Sequence, residues 1–174
     1  MPKKCEYFHR QSVIPADEAT SKIKAAVDAR HSENFLIIAR SDARVSEGLA
    51  CALERAHTFI DAGADVTFVE ASTSIEELRQ IPLAPLAPQF VSVVVGSKTP
   101  TLDAAGFGPM GYALVSYANA ALQGAVLGMT NARTALRDTR RLDESSGLVV
   151  TFAKRQRFMR EDQVDDLAQQ YKLN

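Results

Sequence analysis

The feature that most constrains the fold is the alternation of short apolar runs with segments of helical period. Mainly apolar runs occupy residues 35–39, 66–69, 90–95 and 112–117, and the first of them is continuous. A continuous run, without alternation, is typical of a strand buried on both faces. Helical spacing of apolar residues occupies 17–30, 47–62 and 74–80 and resumes near residue 119. Four strand–helix units in succession predict parallel strands joined by right-handed crossovers.

Two α/β architectures fit this pattern, an open sheet or a section of a (β/α)₈ barrel. A complete barrel usually needs about 250 residues, so this chain of 174 residues supplies only part of one. We expect residues 1–144 to form a partial barrel of about four parallel strands. We expect residues 145–174 to form a C-terminal extension, with an extended piece at 148–152 and one terminal helix.

Charge and composition exclude several classes of function. Lysine and arginine number 20, aspartate and glutamate 21, and the formal net charge is −1, which disfavours a nucleic-acid partner. No apolar run approaches the roughly 18 residues that a membrane span needs. The N-terminus lacks the apolar stretch of a signal peptide, and the two cysteines, Cys5 and Cys51, do not make a disulfide scaffold. These features predict a cytoplasmic protein.

Polar residues follow three of the predicted strands. Arg40 and Asp42 come after the first strand, Glu70 after the second, and a Gly-Ser-Lys-Thr-Pro turn at 96–100 after the third. The carboxyl ends of parallel strands meet at one edge, where such folds place their chemistry. Arg40 can bind a carboxylate through two parallel hydrogen bonds, and Glu70 can orient a substrate hydroxyl or hold the arginine. The alternative is structural: Arg40 and Glu70 form an ion pair, and Asp42 caps a turn.

Of the two cysteines, Cys5 is the one whose neighbours suggest a chemical role. It stands beside Lys3 and Lys4, and cationic neighbours lower a thiol pKa and favour the thiolate. Such a thiol can donate or accept a proton. From position alone, an exposed cysteine in a terminal tail is the simpler interpretation.

Six segments in order along the chain form a recognisable set. They are 2–5 (PKKC), 13–18 (VIPADE), 37–43 (IIARSDA), 62–65 (AGAD) with 68–70 (FVE), 96–100 (GSKTP) and 117–122 (YANAAL). In these segments the chain resembles the isocitrate lyase / phosphoenolpyruvate mutase superfamily. The branch that looks most similar contains the methylisocitrate lyases, dimethylmalate lyases and oxaloacetate hydrolases.

The resemblance implies a (β/α)₈ barrel that cleaves or forms a C–C bond of a 2-hydroxy or 2-oxo dicarboxylic or tricarboxylic acid, with Mg²⁺ as cofactor. By position, Cys5 corresponds to the family's proton donor and Lys3 to its electrostatic helper. Arg40 corresponds to the substrate-binding arginine, and Glu70 to the glutamate after the next strand. Ser92 stands at a substrate-binding position where family members commonly have asparagine.

Other departures from the family pattern bear on activity. Glu6 and Tyr7 replace a Gly-His pair after the cysteine, and Val95 stands where the family commonly has glutamate. A carboxylate beside the thiol opposes thiolate formation. The resemblance also matches only the C-terminal half of the barrel, so the ligands of Mg²⁺ are expected in the half that is missing here.

Two functions stay open at this point. The chain is a truncated lyase that is inactive alone, or it is a non-catalytic remnant that binds a carboxylate ligand or a family partner. Half a barrel has two sheet edges, whose unpaired backbone groups favour pairing with other strands. We therefore expect a homo-oligomer, formed through these edges or through exchange of the C-terminal helix, which the resemblance implies.

Overall fold

The computed structural model describes residues 12–84 and 87–171. Within them lie four strands, and their order along the sheet follows their order in the chain. The strands are β1 (Ile38–Ser41), β2 (Val66–Val69), β3 (Gln89–Val94) and β4 (Tyr112–Ala118). Each neighbouring pair is parallel. The predicted parallel α/β fold, a partial barrel of four strands, is confirmed.

Helices precede and connect the strands, as the spacing predicts. Those before and between the strands are α1 (Ala16–Ala29), α2 (Ala43–Glu47), α3 (Leu49–Asp61), α4 (Ile75–Gln80) and α5 (Ala104–Phe107). Those after β4 are α6 (Ala120–Thr139), α7 (Phe152–Met159) and α8 (Glu161–Tyr171). None of the helices in residues 12–84 and 87–171 has the length and apolar character to cross a membrane.

The core lies between the sheet and its helices. Val69, Val91 and Val93 point to this side of β2 and β3 and belong to one buried cluster. Helices α3 and α4 complete the cluster with small and branched residues, Ala52, Ala56 and Leu78, all at most 1% exposed. Small side chains on α3 let the helix approach the sheet closely, and this burial is the main stabilising contribution.

Gly63 shows why α3 ends where the sequence predicts. Its backbone has φ of 94°, a conformation that glycine adopts without steric cost. Its N–H donates to the carbonyl of Ile60 at 2.8 Å. A Cβ built at this position would lie 3.0 Å from Cγ1 of Val27 on α1. Glycine therefore ends the helix and also lets α1 pack against this turn.

The first strand differs from its prediction. The apolar run at 35–39 predicts a strand buried on both faces, but β1 begins at Ile38 and continues through Arg40 to Ser41. Phe35, Leu36 and Ile38 are 66%, 53% and 45% exposed. The reason is position: β1 is an outer strand of the four, so within the described residues these side chains lack the neighbouring strand that would bury them.

The described residues divide into two units, one that ends at Ala120 and one that begins at Ala121. The second unit contains most of α6, together with α7 and α8. The extended piece predicted at 148–152 is wrong at its end, because Thr151 accepts a hydrogen bond from the Lys154 N–H and α7 begins at Phe152. The single terminal helix predicted is two helices, divided at Arg160, whose φ is 55°. The domain boundary placed after residue 144 stays a prediction.

Candidate functional site

The guanidinium of Arg40 is the centre of the candidate site. Arg40 lies near the carboxyl end of β1, and its Nε and Nη2 donate to the carboxylate of Asp42 at 2.6–3.1 Å. Its Nη1 lies 3.0 Å from Oε2 of Glu70, directly after β2. The Arg40 side chain is 28% exposed, and the two carboxylates are 12% and 10% exposed. At this partly buried rim one guanidinium thus lies between two carboxylates.

Phe68 fixes the guanidinium from a third direction. Arg40 and Phe68 are register partners on β1 and β2, and the Arg40 Cζ lies 5.2 Å from the centre of the Phe68 ring. Phe90 on β3 meets the same ring edge to face, with 4.6 Å between ring centres. Cation–π contact of this kind orients an arginine and keeps its charge. The sheet face beneath the rim is therefore aromatic.

The carboxylate of Glu70 is held at both oxygens. Oε2 contacts Arg40, as above, and Oε1 accepts the Ala71 N–H at 3.2 Å. The backbone N–H of Glu70 donates to the carbonyl of Ser41 at 3.0 Å, which continues the β1–β2 pairing to the rim. Ala71 has φ of 68°, a left-handed conformation that costs a residue with a Cβ roughly 1–2 kcal/mol. Strained backbone of this kind clusters at functional sites.

The structure thus brings Arg40, Asp42 and Glu70 together, as the positions of the strand ends predict. The ion pair between Arg40 and Glu70, which the sequence offered as the structural interpretation, is present. The expected capping role of Asp42 is not: its side chain makes no cap hydrogen bond to α2 and binds Arg40 instead. A carboxylate two residues after an arginine at a strand end is the signal that could have indicated this pair.

Ser92 lies on β3, half-buried, with Ser116 of β4 as its register partner. The turn after β3 is closed by the Ser97 N–H, which donates to the carbonyl of Val94 at 2.9 Å. Tyr117 Oη donates to the carbonyl of Leu102 at 2.7 Å and ties the following segment to β4. The role of Ser92 in substrate binding stays a prediction. Cys5 and Lys3 lie outside the described residues.

The residues described here do not fit a magnesium site. Mg²⁺ prefers oxygen ligands and usually takes one or two carboxylates. The two carboxylates of this rim, Asp42 and Glu70, both contact Arg40, so an ion bridging them would lie against a guanidinium of like charge. Across 12–84 and 87–171 there is no cluster of three or more His, Cys, Asp or Glu side chains suited to a metal.

Comparisons with known proteins show what the chain is similar to. The family model described as "Phosphoenolpyruvate phosphomutase" matches residues 3–137. The 2,3-dimethylmalate lyase of Eubacterium barkeri is 35% identical over 157 residues, which cover 88% of this chain and 53% of that protein. The 2-methylisocitrate lyase of Aeropyrum pernix is 40% identical over 117 residues, which cover 67% of this chain and 37% of that protein.

A solved structure shows the same fold. Oxaloacetate acetylhydrolase in complex with the product oxalate superposes with a TM-score of 0.81 at 26% identity, and the match covers 91% of this chain and 56% of that one. The chain spans about half the length of the first curated relatives it matches. Matched from residue 3 to residue 137 and similar in fold to these enzymes, the chain belongs to the phosphoenolpyruvate mutase / isocitrate lyase superfamily.

Proposed function

We propose that this chain carries the carboxylate-binding part of a Mg²⁺-dependent C–C lyase of the methylisocitrate lyase type. The substrate would be a 2-hydroxy or 2-oxo acid with two or three carboxylates. The names of the matched relatives support this class, since they are lyases of 2,3-dimethylmalate and of 2-methylisocitrate.

The observation that carries the proposal is the placement of Arg40. Its guanidinium is partly exposed at the strand-end rim and oriented by Asp42, Glu70 and Phe68. An arginine that is already oriented loses less conformational entropy when it binds a carboxylate. Substrate binding by Arg40 therefore requires little rearrangement of its own side chain.

The other predicted residues have roles in the same proposal. Glu70 keeps Arg40 in place or accepts a hydrogen bond from a substrate hydroxyl. Ser92 on β3 contributes a hydroxyl that binds the substrate. The Cys5 thiol is the proton donor, and the charge of Lys3 stabilises the thiolate that remains once the proton has been given up. Mg²⁺, when bound, would polarise substrate oxygens, and we propose that its ligands come from outside residues 12–84 and 87–171.

A binding experiment tests the role of Arg40. Oxalate, titrated into the purified chain by calorimetry, is the probe, and the variant is Arg40→Met. Loss of a charged hydrogen bond should weaken oxalate binding by about tenfold to a hundredfold. The control is Arg79→Met, which removes an exposed arginine of α4 and should leave affinity unchanged. Equal oxalate affinity for the wild type and Arg40→Met would contradict the proposal.

The 174-residue chain is further proposed to be inactive by itself, because its described carboxylates do not fit the metal. Methylisocitrate, 2,3-dimethylmalate and oxaloacetate would be assayed with and without Mg²⁺, and no turnover is expected. Clear Mg²⁺-dependent cleavage would show that the chain is a complete catalyst. Arg40-dependent oxalate binding without turnover agrees equally with the second candidate, a non-catalytic carboxylate binder.

Self-association is part of the same proposal. Phe35, Leu36 and Ile38 beside and on β1 are about half exposed or more, and Leu114 and Tyr117 on β4 are 39% and 40% exposed. Apolar side chains on outer strands favour pairing with another copy. Size-exclusion chromatography with light scattering should show a dimer or larger species at micromolar concentration. A cooperative monomer would contradict this proposal.

A further inference from the structure

A second arginine–carboxylate pair lies beside the candidate site. Arg44 on α2 donates to the Glu77 carboxylate on α4, through Nε at 3.2 Å and through Nη2 at 2.8 Å. Arg44 Nη2 also donates to the Thr73 hydroxyl. The two side chains are only 23% and 20% exposed. A partly buried contact through two nitrogens is stronger and more directional than an ordinary surface ion pair.

We call Arg44–Glu77 the outer pair and Arg40–Glu70 the site pair. Both pairs join the same two segments of the chain. Arg40 and Arg44 flank the turn after β1, and Glu70 and Glu77 flank the turn after β2. Between them, the Thr73 N–H donates to Oε2 of Glu77 at 2.7 Å. The connection between Glu70 and Thr73 consists of Ala71 and Ser72, which are 7% and 3% exposed. The turn after β2 is thus held at both of its ends by the arginines that flank the turn after β1.

The strained residue of the rim lies inside this doubly held turn. Ala71 is left-handed and directs its N–H to the Glu70 carboxylate. Strain of this kind persists only where the surroundings impose it. On one side of Ala71 the β1–β2 pairing and Arg40 hold Glu70. On the other side Glu77 holds Thr73.

We propose that Arg44 and Glu77 are positioning residues for the Arg40–Glu70 pair, and that they act by keeping Ala71 in its left-handed conformation. The effect of the outer pair on substrate binding rests on the proposed function. Its effect on the conformation of Ala71 does not. Without the Arg44–Glu77 pair the turn can relax, Ala71 can leave the left-handed region, and the Glu70 carboxylate loses its hydrogen bond from the Ala71 N–H. Arg40 is then less well oriented.

The test uses NMR of the full chain and the variant Glu77→Gln. Two signals report on the site without any ligand: hydrogen exchange of the Ala71 amide and the resonance of Arg40 Nε–H. We expect Ala71 exchange to rise by about tenfold, as for one lost charged hydrogen bond, and the Arg40 signal to shift and broaden. Glu76→Gln, an exposed change of the same charge on the same helix, should leave both signals unchanged.

A rescue variant separates positioning from general destabilisation. Glycine adopts the left-handed conformation without the cost that alanine has, so Ala71→Gly should restore the site in the Glu77→Gln background. Oxalate affinity, lowered about fivefold by Glu77→Gln, should return to the value of Ala71→Gly alone. Because relief of this strain also raises global stability, the Arg40 Nε–H signal, recorded far from the unfolding transition, is the readout that separates positioning from stability.

The possible results are distinct. If Glu77→Gln leaves Ala71 exchange and the Arg40 signal as in the wild type, the positioning role is overturned. If oxalate binding never depends on Arg40, the proposed function fails, while the two NMR signals still decide the positioning role. If Glu77→Gln does not fold, Arg44→Lys keeps the charge but gives up the contact through two nitrogens, and it should change both signals in the same direction by less.

Discussion

The two ends of the β1–β2 pair both carry an arginine–carboxylate contact, but of different kinds. Before the strands begin, Arg30 donates to Asp65 at 2.7 Å, and the Ile37 N–H donates to the same carboxylate at 2.8 Å. One cation faces one anion there. At the carboxyl ends one cation, Arg40, faces two anions, next to a left-handed alanine.

This difference indicates which end serves the fold and which carries the site. At the amino end the charges balance and the carboxylate also accepts a backbone N–H, so the contact positions the start of β1. At the carboxyl end two described carboxylates share one guanidinium and the backbone at Ala71 is strained, and the strain costs stability. Departures from local consistency of this sort concentrate at functional sites. The comparison predicts that stability depends mainly on Asp65, and ligand binding on Arg40.

The largest effect on stability is expected from Asp65→Asn. The substitution removes the charge that accepts hydrogen bonds from Arg30 and Ile37, and hydrogen bonds to charged groups contribute about 1.5–3 kcal/mol each. We expect the free energy of unfolding to fall by about 2 kcal/mol, measured by urea denaturation. Asp61→Asn, an exposed change at the end of α3, is the control. Oxalate affinity should not change in Asp65→Asn, and a parallel loss of binding would break the comparison.

The dependence of the unfolding free energy on pH, in the acid range, should sharpen the comparison. The hydrogen bond from the Ile37 N–H, aided by Arg30, holds the pKa of Asp65 below its ordinary value of 3.8. Burial raises the pKa of Glu77, but Arg44 and the Thr73 N–H outweigh burial and lower it below 4.5. Carboxylates with a lowered pKa in the folded chain stabilise it above their unfolded-state pKa, and this contribution is lost as the pH falls through the folded-state value.

We therefore expect the free energy of unfolding to decline as the pH falls below about 4, where these two carboxylates become protonated in the unfolded chain before they do in the folded chain. Urea titrations at pH 7, 5, 4 and 3 measure it. Asp65→Asn and Glu77→Gln should each show a flatter decline than the wild type. A wild-type curve that stays level down to pH 3 would contradict the assignment.

Substitution of two tyrosines of β4 is expected to change the unfolding free energy by a smaller amount. Tyr112 is 7% exposed, and its hydroxyl has no hydrogen-bond partner among the described residues; burial raises its pKa. Removing an unsatisfied buried hydroxyl in Tyr112→Phe should raise the unfolding free energy by up to about 1 kcal/mol. Tyr117→Phe, which removes the bond to Leu102, should lower it by a similar amount. Thermal unfolding of both variants measures the two changes in stability. Changes of the same sign and size would contradict the expected opposite effects.

Much of the fold is predictable from local pattern. Strands β2, β3 and β4 lie within one residue of the apolar runs, and α4 begins after Ser74, whose side chain accepts the Glu77 N–H. Both signals are local, since strand burial and helix capping depend on residues close in sequence. Prediction fails at β1 and at 148–152, where apolar runs lie exposed on an outer strand and before α7. An apolar run cannot show whether a neighbour will bury it.

The sequence by itself determined that parallel strands would carry Arg40, Asp42 and Glu70 to one edge, because strand direction and order follow from the repeated strand–helix pattern. Only the tertiary structure decided how these groups meet. That Phe68 lies under the guanidinium and that Arg44 reaches Glu77 depend on register and on side-chain direction between segments about 30 residues apart. That Asp42, two residues from Arg40, binds it instead of capping α2 depends on side-chain direction where β1 ends. Such contacts are set by packing of the whole sheet and its helices, which no local pattern specifies.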